Sequence, residues 1–297
     1  MYDDAMLDKS SLFDKLLILL QYIIPQHALS RLIFYLTRLP LGIVTHAVIR
    51  YFIYFYGVDM RVARWHDACD YKTFNHFFTR ALMFGVRPVA DVDVISPVDG
   101  EISQIGDIKR GYLLQAKGCW FRLVDLLAQS ADECCVFQDG SFCTFYLSPR
   151  DYHRVHIPIA GRLIDMIYVP GRLFSVNQRA SRVVAGLFAR NERVICYFET
   201  TVGIMAVILV GALLVGSIET VWAGVVTPNH YSQVQRWNYS SISAPFFNQG
   251  EEIGRFNMGS TVIILFQARR VIWLPHLIEL SRCRVGEGLA RRLPCEL

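Results

Sequence analysis

The chain has no Asp or Glu between Lys15 and Val58, although both are spread through the rest of its 297 residues. Every ionised side chain in that stretch is basic, namely Lys15, Arg31, Arg38 and Arg50. The remainder is largely apolar, a composition that suits an anionic lipid surface. Other absences narrow the field. None of the eight cysteines forms a CxxC pair, and the vicinal Cys134 and Cys135 make poor disulfide geometry. An even cysteine count suggests a disulfide framework only in short secreted chains. Asp3 and Asp4 stand where a secretory signal would carry basic residues. Reduced cysteines and a cytoplasmic face are therefore expected. No dense Lys/Arg stripe accompanies a nucleic-acid motif, and the formal charge is only +4, so nucleic acid is not an expected partner.

No helical stretch is long enough to span a bilayer. Residues 41–56 are apolar but carry His46 and Arg50, and a span takes about 20 predominantly apolar residues. What is present is surplus apolar character. The hydrophobic fraction is 53% and the mean hydropathy +0.30, high for a freely soluble chain. Residues 10–57 read as helices punctuated by Pro25 and Pro40. From His27 to Leu39 the polar positions His27, Ser30, Arg31, Thr37 and Arg38 fall on one side. Ala28, Leu29, Leu32, Ile33, Leu36 and Leu39 fall on the other, the period of an amphipathic helix. These helices are expected to lie in a membrane interface. The bland alternative is a helical cap on a core.

Residues 200–218 lack charge and could pass for a membrane span. Their Val, Ile and Thr content, with Gly203, Gly211 and Gly216 interrupting, instead predicts two buried strands with a turn or bulge near Gly211. Further strands are expected over 144–147, 163–169, 194–198 and 261–266, and short helices over 121–129 and 175–185. The fold class is α+β: amphipathic, membrane-facing helices over 1–90, then an antiparallel β-rich catalytic domain over 91–297.

Three short motifs carry the chemistry: Pro97-Val98-Asp99-Gly100, Tyr152-His153-Arg154-Val155-His156 and Asn257-Met258-Gly259-Ser260-Thr261. They offer a carboxylate, two imidazoles and a hydroxyl directly after a glycine. Asp, His and Ser form nucleophilic triads in any chain order. A Gly-Ser bond is the least hindered place for a serine hydroxyl to attack its own preceding carbonyl. That attack turns amide into ester and can end in chain cleavage. Gly259 can also adopt conformations closed to other residues, strained ones among them, that would expose its carbonyl. A neutral imidazole would act as base and a carboxylate such as Asp99 would orient it.

His153 and His156 are three apart, so on a straight strand they would point to opposite faces. Serving one site would require a turn or bulge that the sequence does not reveal. A metal site from Asp151, His153 and His156 is the competing reading, but no CxxC or HExxH supplies further ligands. Taken singly, each motif has an ordinary explanation: a capping Asp, packed histidines, a turn before a strand.

At these residues the chain resembles the phosphatidylserine decarboxylases, a pyruvoyl-dependent family. The similar segments run in order: Phe74-Asn75-His76-Phe77-Phe78-Thr79-Arg80 with Arg87-Pro88, SPVDG at 96–100, Lys117-Gly118, and YLSPRDYHRVHIP at 146–158. PGRLFSVN at 170–177, NER at 191–193, VGALLVG at 210–216 and EIGRFNMGSTV at 252–262 follow. Met258 stands where Leu is more usual. The resemblance implies that Asp99, His156 and Ser260 form a self-processing triad. Ser260 attacks the Gly259 carbonyl, the ester undergoes β-elimination, and hydrolysis leaves a pyruvoyl group derived from Ser260. A large subunit, 1–259, stays with a small one, 260–297. The pyruvoyl group forms a Schiff base with phosphatidylserine, CO₂ leaves, and phosphatidylethanolamine is released. His153 is implied in handling the substrate carboxylate or the returning proton.

The expected setting is the cytoplasmic side of the cell membrane, peripherally bound, with phosphatidylserine as lipid partner and room for a homo-oligomer. No metal is expected. Arg150, Arg154 and Lys117 are candidates for the lipid phosphate, though the sequence singles out none. The rival reading is a membrane-associated serine hydrolase using the same triad.

Overall fold

The computed structural model describes residues 12–213, 217–228, 231–239 and 244–294. Asp3 and Asp4, Gly216 and Cys295 lie outside them. Helices α1 (Leu12–Ile23), α2 (Gln26–Leu36) and α3 (Ile43–Tyr56) open the described chain, as the periodicity predicts. Pro25 stands at the start of α2, where its missing N–H costs nothing. Gly57, left-handed at φ 64°, ends α3, and the Val58 N–H donates to the Ile53 carbonyl at 3.0 Å.

Much of the apolar surface of these helices points outward, although Ile18 and Ile49 are buried. Gln26 and Ser30 of α2 and Thr45 of α3 are buried, while Leu32, Tyr35, Leu36, Val44, Tyr51 and Phe55 are exposed. Ile43 and Tyr54 are each 86% exposed. Several polar side chains of α1 and α2 bind the body directly. Gln26 Oε1 accepts from the Leu173 N–H at 2.8 Å, and Gln21 Oε1 accepts from the Ser175 N–H at 2.9 Å. His27 Nε2 donates to the Gly171 carbonyl at 2.9 Å, and Tyr22 packs on Phe174. Docking through hydrogen bonds leaves the apolar faces outward. No helix among the described residues is long and apolar enough to cross a membrane.

Behind α3 a short helix α4 (Phe74–Phe78) is capped by Thr73, whose side chain accepts from the His76 N–H. Phe52 of α3 meets the rings of Phe74, Phe77 and Phe78 at 5.2 to 6.0 Å, edge-on. Ile49, Val58, Ala68, Tyr71 and Phe77 form a small separate core there.

The body is antiparallel, as expected. Its main sheet orders the strands Gln235–Asn238, Gly161–Val169, Arg193–Thr200, Gly203–Val210, Ser260–Phe266, Ser141–Leu147, Gly100–Asp107 and Arg282–Cys283. Gly203–Val210 is the first of the two strands expected in the uncharged run. It stops before Gly211, whose N–H donates to the Glu192 carbonyl at 2.8 Å. The next described strand, Ile218–Thr220, begins at the far end of the run and joins a second sheet with Gly224–Val225, Glu252–Phe256 and Arg154–His156. The helix expected over 121–129 is shorter, Leu123–Leu127, because Cys119–Arg122 is drawn into a hairpin with Tyr112–Ala116. That expected over 175–185 is Gln178–Val183, capped by Asn177. All described cysteines are free.

Ser260–Phe266 is buried at every residue and hydrogen-bonds on both sides, Thr261 opposite Val210 and Tyr146, Phe266 opposite Met205 and Ser141. A central strand held by two neighbours keeps its place whether or not it remains joined to the residue before it.

Candidate active site

The chain runs unbroken from the second sheet into the first through Asn257, Met258 and Gly259. Phe256 closes the strand before them and donates its N–H to the His153 carbonyl at 2.9 Å. The Asn257 N–H donates to the Ser217 carbonyl at 2.9 Å. Ser260 then enters the central strand opposite Leu147. It is 1% exposed, and its Oγ has no hydrogen-bond partner among the described residues. A buried hydroxyl left unpaired is costly and calls for a role.

Gly259 departs from expectation. Its φ lies outside the left-handed region, so the backbone there is not of the strained kind only glycine adopts. A Cβ at this position would sit 3.7 Å from the Leu147 carbonyl oxygen and 3.8 Å from His153 Nε2, ordinary contact distances. What glycine gives is an unobstructed carbonyl beside Ser260 and an open line to His153.

His153 is fully buried in the loop before Arg154–His156, with Phe78 of α4 4.2 Å away ring to ring. Its Nδ1–H donates to the Asp151 carbonyl at 2.8 Å, which leaves Nε2 as the lone-pair nitrogen. That Nε2 has no hydrogen-bond partner among the described residues and lies on the side of Gly259. Burial first, and the Arg80 guanidinium second, hold its pKa down at about 3, against the Asp151 hydrogen bond. His153 is therefore a neutral imidazole with a free lone pair on the Gly259 side.

His156 faces elsewhere. Its Nδ1–H donates to the Gly250 carbonyl at 2.7 Å, and its Nε2 accepts from the Tyr152 hydroxyl at 3.0 Å. Burial lowers its pKa, partly offset by the Gly250 carbonyl and by the charges of Glu252 and Asp99. Burial also raises the pKa of the Tyr152 phenol, so that group stays a donor to His156. Asp99 is 8% exposed and bound elsewhere, accepting from Arg87 Nε at 3.0 Å and from the Val285 N–H at 2.8 Å. The structure thus brings Ser260, Gly259 and His153 together. It leaves Asp99 and His156 within electrostatic reach of each other but without a hydrogen bond to one another or to Ser260. No turn separates the histidines: the bend lies at Asp151, before both, and the strand Arg154–His156 follows, so the two imidazoles meet different neighbours, as their three-residue spacing on a straight strand implies.

The segment from Asn75 to Arg80 supports all of this, and no site role was read for it from the sequence. Phe78 packs on His153, and the Thr79 carbonyl accepts from Arg154 Nε at 3.0 Å. Arg80, 3% exposed, donates through Nη2 to the carbonyls of Arg150 at 2.9 Å and Asp151 at 3.2 Å. Burial lowers its pKa. The Asp151 carboxylate accepts from Ser148 and from Arg282. Of the phosphate candidates, Arg154 is paired with Glu252 at 2.9 Å, whereas Lys117 and Arg150 are exposed. The signal for the 75–80 segment was Phe77 and Phe78 set among Asn75, His76, Thr79 and Arg80, which single-motif reading leaves as core.

The chain was compared with known proteins. A family model described as phosphatidylserine decarboxylase matches residues 74–291, and a second, described as PSD, matches residues 16–57. A phosphatidylserine decarboxylase proenzyme of Acidovorax ebreus is 49% identical over 279 residues, covering 94% of this chain and 98% of the relative. Proteins of the same name from Shewanella loihica and Delftia acidovorans are each 52% identical, over 257 and 255 residues. These cover 85% and 86% of this chain, and 90% and 89% of the relatives.

Proposed function

The chain belongs to the phosphatidylserine decarboxylase family, and from that premise we propose that it makes its own catalytic group by cutting itself between Gly259 and Ser260. It is an enzyme, a carboxy-lyase of phospholipid biosynthesis produced as a proenzyme. Phosphatidylserine is its substrate and phosphatidylethanolamine its product.

The observation that carries the self-processing reading is the buried, unpartnered Ser260 Oγ next to an unhindered glycine carbonyl. Attack by that hydroxyl, with its proton taken by an imidazole, breaks the Gly259–Ser260 amide and forms an ester. Loss of the proton on Cα of residue 260 then expels the Gly259 carboxylate by β-elimination. Water adds to the resulting dehydroalanine, ammonia leaves, and residue 260 ends as a pyruvoyl group. The surroundings fit such a group: it needs no charge partner, and the strand bearing it is held on both sides. Once formed, it supplies an electrophilic carbonyl that takes up the substrate amine and accepts the electron pair left as CO₂ departs.

Asp99, His156 and Ser260 are proposed as the processing set, in line with the family resemblance. His153 is proposed to hold the substrate carboxylate or to return the proton to the α-carbon. The free Nε2 of His153 beside Gly259 favours a second reading, in which His153 is also the base for cleavage. Separate H153A and H156A variants decide: the one that stays uncut on a denaturing gel lacks the processing base.

The outward apolar faces of α1 to α3 support a peripheral seat on an anionic membrane, through which only the serine headgroup need be drawn in. The helices over 1–90 are the proposed membrane-associating region and 91–297 the catalytic part. The function is tested by CO₂ release from phosphatidylserine vesicles. The purified protein should release it, and S260A and borohydride-treated protein should not. Release by S260A at the wild-type rate would refute the pyruvoyl route. Fluorophosphonate labelling of Ser260 on an intact chain would instead support a hydrolase.

A further inference from the structure

The three residues that link the two sheets have to present the Gly259 carbonyl to Ser260, and one side chain outside the expected catalytic set holds them. Asn75 Nδ2 donates to Asn257 Oδ1 at 2.9 Å, and lies 3.4 Å from the Asn257 carbonyl oxygen. The Asn257 amide donates in turn to Ser217 Oγ, and Asn257 and Ser217 are each 1% exposed. Both ends of the Asn257 side chain are thus committed, two residues before the peptide bond that breaks.

Asn75 itself is anchored by its backbone. Its N–H donates to the Thr37 carbonyl at 2.8 Å just beyond α2, and its carbonyl accepts from the Thr79 N–H and Oγ, both at 2.9 Å. The cap of α4 is supplied by Thr73, so the Asn75 side chain is not needed to start the helix. Among the described residues, its side chain hydrogen-bonds to Asn257 alone.

We infer that Asn75 is a positioning residue for chain cleavage, its side-chain amide clamping Asn257 and thereby fixing the Gly259 carbonyl in front of Ser260. This inference rests on the self-cleavage proposed above. It has a consequence that a general packing role lacks. Once the bond is cut, residue 260 no longer depends on where Gly259 sits, so the clamp matters to cleavage and not to the decarboxylation that follows.

The test uses the full chain with N75A, N75D, N257A and the N75A/N257A pair. Cleavage half-times are read by denaturing mass spectrometry, CO₂ release is expressed per pyruvoyl group, and thermal midpoints are recorded. N75D keeps the shape but sets an acceptor against Asn257 Oδ1, so it serves if N75A folds poorly. N75A and N75D should each slow cleavage about tenfold or more, the loss expected when a reacting carbonyl is misplaced. Turnover per pyruvoyl group should stay within about twofold of wild type. The double variant should cut no more than about twofold slower than N257A, because the two residues act as one unit. Wild-type cleavage rates in N75A and N75D overturn the inference. So do multiplicative effects in the double variant, or turnover per pyruvoyl group that falls in step with cleavage. A wild-type chain that never cuts overturns self-processing itself and the inference with it, whereas S260A alone remaining uncut upholds the premise.

Discussion

Replacing Asp99 by Asn separates two roles this carboxylate could have. In the structure Asp99 forms a nearly buried ion pair with Arg87, through Nε at 3.0 Å and Nη2 at 2.5 Å, and also takes the Val285 N–H at 2.8 Å. Their side chains are only 11% and 14% exposed. D99N preserves an acceptor for Val285 but leaves the guanidinium buried without its charge partner. Breaking a buried pair in this way costs about 3–5 kcal/mol. At about 2–4 °C per kcal/mol for a chain of this size, the thermal midpoint should fall by roughly 6–20 °C.

R87Q/D99N leaves no charge unpaired and should recover part of that loss, a coupling readable from the double-mutant cycle. After cleavage the Val285 contact joins the large piece to the small one, so whatever fraction of D99N is cut should release the small piece at lower urea. Differential scanning fluorimetry and gel filtration in urea read both effects. A D99N midpoint within about 1 °C of wild type, with cleavage nonetheless abolished, would refute the structural role and leave Asp99 as an orienting group alone.

G259A should fold normally, since a methyl there meets only ordinary contacts, yet cut at least about tenfold more slowly because it crowds the attacked carbonyl. An unchanged cleavage rate would show that access to the carbonyl is not limiting. I43E/Y54E, on the exposed face of α3, should lose about 2–3 kcal/mol of binding to phosphatidylserine vesicles, roughly 30–150-fold by co-sedimentation. Binding within about twofold of wild type would remove that face from the membrane.

Stability should also fall with acid. The pKa of His153 is held at about 3, far below its ordinary value, and those of His156 and His76 are lowered too. The unfolded chain therefore binds more protons between roughly pH 6.5 and the folded values, so unfolding free energy rises with pH across that window. H153N should flatten the slope by up to about 1.4 kcal/mol per pH unit in urea titrations, and an unaltered slope would mean His153 is not neutral and buried.

Much of the architecture was legible because its causes are local. Pro25 and Pro40 mark the ends of the second helix, and the Val, Ile and Thr content interrupted by glycine favours strand over membrane span in the uncharged run. The three chemical motifs were legible too, because Gly-Ser, paired histidines and a turn aspartate are distinctive together. What could not be read depends on contacts distant in sequence. The partner of Asp99 is Arg87 and not an imidazole, and His156 meets Tyr152 and the Gly250 carbonyl. The helices proved to dock through Gln21, Gln26 and His27, which hydrophobic periodicity counts only as polar positions. Asn75 and Asn257 are 182 residues apart, and neither type in isolation signals more than a turn or a cap. Gly259 was read both for an unhindered carbonyl and for conformational freedom, and the backbone there is not left-handed.

The most direct measurement is a denaturing mass spectrum of the purified protein. The account predicts two fragments that meet between residues 259 and 260, the smaller blocked at its start by pyruvoyl in place of serine. A single intact chain that persists through long incubation with anionic lipid would contradict it.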